Sequence, residues 1–287
     1  MSYDLFLKPE SQALSQEQFT GWFESRPNYT IQQQQAWYEN DDTGVYFSFD
    51  YDSEQGGSVA FNMNYLRPHI FGLEAAPELA AFIAAFDLSI DDPQVGGMGE
   101  GPFSEEGFVK SWNGGNRFGY QSILTTDETN EIPVRSTADI ERTWRWNRHR
   151  NTLQAAVGDV MWIPRIMHMQ GTSSVITVAV WPDACPIMLP RVDRIILLRE
   201  MLAVHPRKPG DEEPEATIVD WSRLADLVES YPYDPEHGCY CLEYDVSPEA
   251  LVCLIQSLPI DTPDRDKFLS PDSVLNAELV AEFRRPG

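Results

Sequence analysis

Apolar residues recur along the first hundred positions with two different periods. Between Ser58 and Leu66 they alternate with asparagines, which is the period of a half-buried strand. Leu79, Phe82, Ile83 and Phe86 are instead spaced three and four positions apart, as on the buried stripe of a helix. Strand and helix patterns therefore follow one another in this part of the chain.

The same periods predict the elements of the N-terminal half. We predict strands over Tyr3–Lys8, Ile31–Tyr38, Gly44–Asp52 and Ser58–Leu66, and helices over Ser15–Ser25, from a first turn containing Pro77 to Phe86, and over Ser104–Trp112. Ser15 followed by Gln18 is the signature of a capping box at a helix start. The glycines of Asn113–Asn116 predict a turn.

A second group of elements begins near Leu153. We predict strands over Asp159–Pro164, Val175–Trp181, Asp193–Arg199 and Cys239–Val246, helices over Trp221–Ser230 and after a cap at Ser247, and a surface loop over His205–Pro214. The order favours an α+β fold, with two α/β sandwich-like subdomains whose mainly antiparallel sheets are flanked by helices. We place the subdomains at residues 1–125 and 126–287, with one continuous domain as the alternative.

The net charge of the chain narrows the classes of molecule that it is expected to bind. The 287 residues include 45 Asp and Glu against 21 Lys and Arg, a formal net charge of -24. Such a surface repels phosphate backbones and anionic lipids, so we expect neither a nucleic-acid nor a membrane partner. A cationic partner is favoured, and the alternative is that the charge only maintains solubility.

The acids are concentrated in three segments, which supply the candidate contact residues. These are Asp41, Asp42, Glu54, Asp91, Asp92, Asp211, Glu212, Glu213 and Glu215. The alternative for each segment is an ordinary solvated face. A basic segment around Trp144, Arg145 and Trp146 could stack on bases, but we expect its tryptophans to pack inward while its arginines pair with carboxylates.

Catalytic chemistry has no recognised signature in this sequence. The phosphate-binding, dinucleotide-binding, zinc-protease and serine-hydrolase motifs are absent, and the five histidines lack metal-ligand spacing. Cys239 and Cys241 form a C-x-C pair on a predicted strand, which we interpret, with Cys185 and Cys253, as buried reduced thiols. We therefore predict no enzyme, cofactor or metal, and keep a metal-dependent or cysteine hydrolase as the alternative.

Targeting signals are also missing from the sequence. The longest apolar run, Leu79–Phe86, is far shorter than the roughly 20 residues of a spanning helix. The first residues lack the basic and apolar regions of a secretory signal. We expect the protein to stay in the cytoplasm.

Two aromatic stretches carry a resemblance to a known family. They are Trp37–Phe49 and Phe61–Pro68, followed by Leu73-Glu74 and Asp91–Gln94. Over roughly the first hundred residues they resemble bacterial immunity proteins of type VI secretion systems. The resemblance implies a protein that neutralises a cognate basic toxin, a nuclease effector. We expect the protein to be a monomer or a homodimer. An adaptor that loads such an effector is the alternative, and the motifs carry over no contact residue.

Overall fold

A computed structural model describes residues 1–54, 56–125, 131–205 and 214–284. In chain order the elements are β1 (Ser2–Pro9), α1 (Gln16–Glu24), β2 (Tyr29–Gln32), β3 (Gln35–Asn40), β4 (Val45–Asp52), β5 (Ser58–Asn64), α2 (Ile70–Phe86), β6 (Leu88–Asp92), β7 (Gly99–Gly101), α3 (Glu105–Leu124), β8 (Val134–Arg135), α4 (Thr137–Val157), β9 (Ile166–Gln170), β10 (Val175–Pro182), β11 (Ile187–Pro190), β12 (Arg194–Arg199), β13 (Glu215–Asp220), α5 (Ala225–Val228), β14 (Tyr233–Asp234), β15 (Cys239–Leu242), α6 (Glu249–Ser257), β16 (Phe268–Leu269), β17 (Leu275–Asn276) and α7 (Ala277–Phe283). The predicted α+β class, with antiparallel pairing dominant, is confirmed.

The chain divides into two compact units. Unit 1 comprises Met1–Glu141 together with Pro271–Gly287, and unit 2 comprises Arg142–Ser270. This division differs from the predicted boundary between residues 125 and 126, because a late segment of the chain returns to unit 1. There β17 pairs in parallel with β8, and such a pairing of distant segments leaves no local pattern in the sequence.

Unit 1 is built on a seven-stranded sheet with the order β2-β3-β4-β5-β1-β6-β7. Each adjacent pair of strands is antiparallel, so the alternating side chains of neighbouring strands fall on the same two faces. One face packs against helices through aromatic rings. Phe49 contacts Phe23 of α1 and Phe82 of α2, while Phe61 contacts Phe108 of α3.

Two helices of unit 1 differ from their predictions. The helix α2 begins at Ile70, so Pro77 lies inside it and not in its first turn. The helix α3 continues to Leu124 through the predicted turn, where Gly115 serves packing and not a change of chain direction. A Cβ on Gly115 would lie 2.1 Å from the Tyr65 hydroxyl, so this position needs a glycine for close approach. The capping box of α1 is confirmed, since Gln18 and Ser15 bond reciprocally.

Unit 2 contains a five-stranded sheet with the order β13-β12-β10-β9-β16, and a three-stranded sheet with the order β11-β15-β14. The central strands β10 and β12 run parallel to each other. Their sequences, VITVAVWP and RIILLR, are almost continuously apolar, as expected for strands with apolar packing on both faces. Trp181, fully buried, belongs to the main core of this unit.

The predictions for unit 2 are less accurate than those for unit 1. Asp159–Pro164 is not a strand, and only Trp162 forms an isolated bridge there. The predicted helix at Trp221–Ser230 is a short 3₁₀ turn followed by the four residues of α5. Most of the predicted His205–Pro214 loop lies outside the described residues.

Candidate protein-binding face

The seven-stranded sheet of unit 1 has a second face, opposite the aromatic core, which we call the outer face. Its layout follows from the strand register. One row runs from Trp37 through Ser48 and Asn62 to Asp4, and the neighbouring row runs from Gln35 through Asp50 and Ala60 to Phe6 and Asp91. Polar residues thus occupy most of the positions that alternate with the buried phenylalanines.

Carboxylates dominate the charge of the outer face. The register places six of them there: Asp4, Glu39, Asp50, Asp52, Asp91 and Glu100. Lys8 lies among them, with its Nζ 2.9 Å from an oxygen of Asp91 and 3.9 Å from one of Glu100. A shared sign over neighbouring strands gives this face a negative field, which the surrounding acids of the chain reinforce.

Aromatic side chains are exposed on the same face. Trp37 is 36% exposed and stacks on Tyr46 with the ring planes 18° apart, while Phe6 is 41% exposed. The Tyr46 hydroxyl accepts hydrogen bonds from Nε and Nη2 of Arg67, which fix the ring. Aromatic rings are enriched at the centre of protein interfaces, and a polar rim surrounds that centre.

A polar groove opens at one end of the outer face. Its volume is about 760 Å³, and its lining comprises Gln32 to Gln35, Asp50 to Glu54 and Ala60. Gln35 and Asp50 are cross-strand partners, and the Gln35 amide donates to Oδ1 of Asp50 at 2.8 Å. The groove therefore combines carboxylates with amide acceptors, a combination suited to a guanidinium or ammonium group.

Two of the predicted contact residues, in the turn between β3 and β4, differ in their exposure to solvent. Asp41 is exposed, whereas Asp42 is only 9% exposed. Buried Glu74 of α2 anchors this turn by accepting from the Asn40 amide at 2.7 Å and the Thr43 hydroxyl at 3.0 Å. Asp41 alone of the two thus presents its side chain to solvent.

The neighbouring residues Asp91 and Asp92 also differ in their exposure to solvent. Asp92 is 3% exposed and accepts hydrogen bonds from the Tyr3 and Ser111 hydroxyls, at 2.8 and 2.9 Å, and from the Met98 amide. Its role is therefore to hold the β6–β7 connection inside unit 1. Asp91, one position away, points to the outer face beside Lys8.

The remaining predicted residues have different surroundings. Glu54 is exposed at the groove. Glu215 has a side chain only 14% exposed, and it accepts from the backbone N–H groups of Val204 and His205. These bonds hold the pKa of Glu215 below its usual range although burial opposes them. Asp211, Glu212 and Glu213 lie outside the described residues.

The tryptophans of the basic segment in α4 pack inward, as the sequence predicts. Trp144 and Trp146 are 9% and 5% exposed, and the Trp146 indole donates to the Pro164 carbonyl at 2.7 Å. The Arg148 guanidinium lies 5.3 Å from the centre of the Trp144 ring. The indole rings are therefore engaged within unit 2, and this favours the packing interpretation over a base-stacking patch.

The cysteines of unit 2 are less uniform than predicted. Cys239 is buried, Cys185 and Cys241 are half-buried, and Cys253 is exposed, so the prediction of four buried thiols is wrong for Cys253. Burial raises the pKa of Cys185 to about 11, which keeps this thiol protonated near neutral pH. In the described part of the chain, one group of side chains could hold a metal ion: Asp234 with Cys239 and Cys241.

Comparisons with known proteins add no relative. Family models, curated proteins and solved structures were each searched, and none of the three searches found a match. Among the helices of the described residues, none combines the length and the apolar character that crossing a bilayer requires.

Proposed function

We propose that this chain is an immunity protein of a type VI secretion system, which neutralises a basic nuclease toxin in the cytoplasm by binding it through the outer face. The observation that carries the proposal is the set of six carboxylates that the register gathers beside exposed aromatic rings. The proposed contact surface thus replaces the separate acidic loops that the sequence predicts.

Electrostatics supports a cationic partner. A nuclease presents Lys and Arg to the phosphates of its substrate, and an acidic protein can cover the same groups. With a net charge of -24, long-range attraction accelerates encounter, and carboxylates on a fixed sheet then set the orientation. Fast capture suits an inhibitor of a toxin that is already active.

The aromatic rings supply the part of the affinity that charge does not. Trp37 and Tyr46 stack on each other, so Trp37 loses little side-chain freedom when a partner covers it. Exposed ion pairs contribute little by themselves, whereas a buried tryptophan often contributes 2 kcal/mol or more, as a rough guide. Trp37 is accordingly the proposed anchor of the interface.

The groove gives the outer face a specific contact. Asp50 and Glu54 lie along the groove with the four glutamines, so a lysine or arginine of the toxin can enter and meet both charges and amide oxygens. If the lysine or arginine that enters the groove is one that the toxin uses for catalysis or for phosphate binding, the nuclease is blocked directly.

Reversal of charge on the outer face tests this proposal. The probe is any basic nuclease toxin encoded beside the gene. We expect Glu39→Lys with Glu54→Lys, and separately Trp37→Ala, to abolish co-purification with this toxin and to restore its cleavage of plasmid DNA. The matched control is Glu17→Lys with Glu24→Lys, which changes the charge equally on exposed positions of α1, in the opposite layer. Circular dichroism confirms that each variant folds.

Three outcomes would contradict the proposal. Equal loss of binding in the α1 control would show that only total charge matters. A complex that forms through the outer face but leaves nuclease activity intact would make the protein an effector-loading adaptor. A toxin bound with unchanged affinity by all variants would place the interface elsewhere.

A further inference from the structure

The hairpin formed by β14 and β15 gathers sulfur and carboxylate ligands on one face of unit 2. Asp234 is the cross-strand partner of Cys239, and Cys241 follows two residues later on the same face of β15. A ligand atom from each of the three side chains lies within 4.8 Å of the other two. This proximity follows from the pairing of the strands and is independent of the outer face of unit 1.

The loop of this hairpin fixes the carboxylate. Oδ1 of Asp234 accepts from the backbone N–H of Glu236 at 2.9 Å, and Oδ2 lies 2.7 Å from Nδ1 of His237. Gly238 adopts the left-handed backbone conformation that closes the turn, with a φ of +70°. Its N–H donates to the Asp234 carbonyl at 2.8 Å. The side chain of Asp234 is thereby held beside the two thiols.

We propose that Asp234, Cys239 and Cys241 bind a Zn²⁺ ion, with His237 as a positioning residue for the carboxylate. Two thiolates and a carboxylate are donors that tetrahedral zinc accepts, and two sulfurs on one zinc lie roughly 3.8 Å apart, given Zn–S bonds of about 2.3 Å. The ligand atoms therefore need only a small movement from their positions 4.8 Å or less apart. An oxygen donor and a neighbouring imidazole favour Zn²⁺ over Cu⁺, which prefers sulfur donors throughout.

The chemistry of binding is a proton exchange. Each thiol releases its proton as sulfur coordinates the metal, and the carboxylate supplies an oxygen lone pair, so no oxidant or reductant is required. Three protein donors leave the fourth position to water. Since the three residues belong to facing strands, the ion would link β14 to β15 across their turn and stabilise the three-stranded sheet.

The test uses the full-length protein, reduced with a phosphine and freed of metal, and titrates Zn²⁺ against a chromogenic chelator. We expect the wild-type protein to bind a single equivalent. Cys241→Ser should weaken binding strongly, and Asp234→Asn and His237→Ala should each weaken it by about 10- to 100-fold. Cys253→Ser is the matched control, because Cys253 is an exposed cysteine on α6, and it should bind as the wild type does.

Co²⁺ provides a second readout that reports the donor atoms. The wild-type protein and Cys253→Ser should show the near-ultraviolet absorption of thiolate bound to cobalt, and Cys241→Ser should lose it. If metal-free Cys241→Ser fails to fold, Asp234→Asn carries the test, since its amide oxygen can still accept the hydrogen bond from the loop. Absence of a stoichiometric site in the wild type, or unchanged affinity in Cys241→Ser and Asp234→Asn, would overturn the proposal.

Discussion

The two large sheets of this protein differ in their second faces. In unit 1 the face opposite the aromatic core carries Asp4, Asp50 and Asp91, whereas in unit 2 the corresponding face of the five-stranded sheet carries Met169, Val178, Ile196 and Ala216. Most strands of unit 1 alternate between buried apolar residues and polar residues, and the central strands of unit 2 do not. An alternating strand leaves one face available for charge, and a continuously apolar strand does not.

The largest expected difference is in the free energy of unfolding, when a lysine is placed either on the second face of the five-stranded sheet of unit 2 or on the outer face of unit 1. Val178 is fully buried in β10, and its cross-strand partner is Arg194, so Val178→Lys should lower the free energy of unfolding by more than about 4 kcal/mol. Ala60→Lys stands beside Asp50 on the outer face and should change it by less than about 1 kcal/mol. Urea unfolding measures both, and equal losses would remove the distinction between the faces.

A second experiment compares a carboxylate inside unit 1 with its neighbour on the outer face. Asp92→Asn disrupts a buried carboxylate that accepts from the Tyr3 and Ser111 hydroxyls and should cost about 1–3 kcal/mol. Asp91→Asn removes only a half-exposed ion pair with Lys8 and should cost less than about 1 kcal/mol. If the two substitutions destabilise the protein equally, the assignment of Asp92 to the interior and of Asp91 to the outer face is incorrect.

The smallest effect concerns acid sensitivity, which should be similar in both units. A hydrogen bond from Thr137 lowers the pKa of Glu278 in unit 1, and backbone N–H groups lower the pKa of Glu215 in unit 2 against its burial. A lowered folded-state pKa contributes stability above the unfolded pKa, and this stability is lost as the pH falls through the folded value. The free energy of unfolding should therefore decline below about pH 4.3.

Glu215→Gln and Glu278→Gln check this pH dependence. Each should lower the stability at pH 7 slightly and reduce the decline on the acid side, as chemical denaturation between pH 7 and pH 3 would show. Profiles parallel to that of the wild type would mean that neither carboxylate contributes to the acid sensitivity.

Local patterns in the sequence were sufficient for elements whose cause is local. The capping box at Ser15 and the alternation in β5 both depend on residues a few positions apart, and both are seen in the structure. The extent of α3 depends instead on a distant contact. From the sequence alone, Gly115 predicts a turn, because a glycine needed for close approach cannot be distinguished from a glycine needed for a turn. The structure shows that Tyr65 packs against Gly115.

The candidate sites show the same limit. Acidic runs can be counted along the chain, but the outer face collects six carboxylates from five strands, and only the register shows that Asp4 and Asp50 share it. The sequence does contain Asp234, His237, Cys239 and Cys241 at short spacing, a signal that a wider search for mixed ligands could have found. Pairing of Asp234 with Cys239 is what brings them together.

The return of β17 and α7 to unit 1 has a consequence for biosynthesis. Asn276 accepts a hydrogen bond from the His69 backbone, and β17 pairs with β8, so unit 1 lacks these contacts while the ribosome is still translating unit 2. Residues 142–270 are contiguous and can condense as soon as they emerge. The nascent chain should therefore be able to complete its inserted unit first, and unit 1 gains the contacts of β17 only after residues 275 and 276 have emerged.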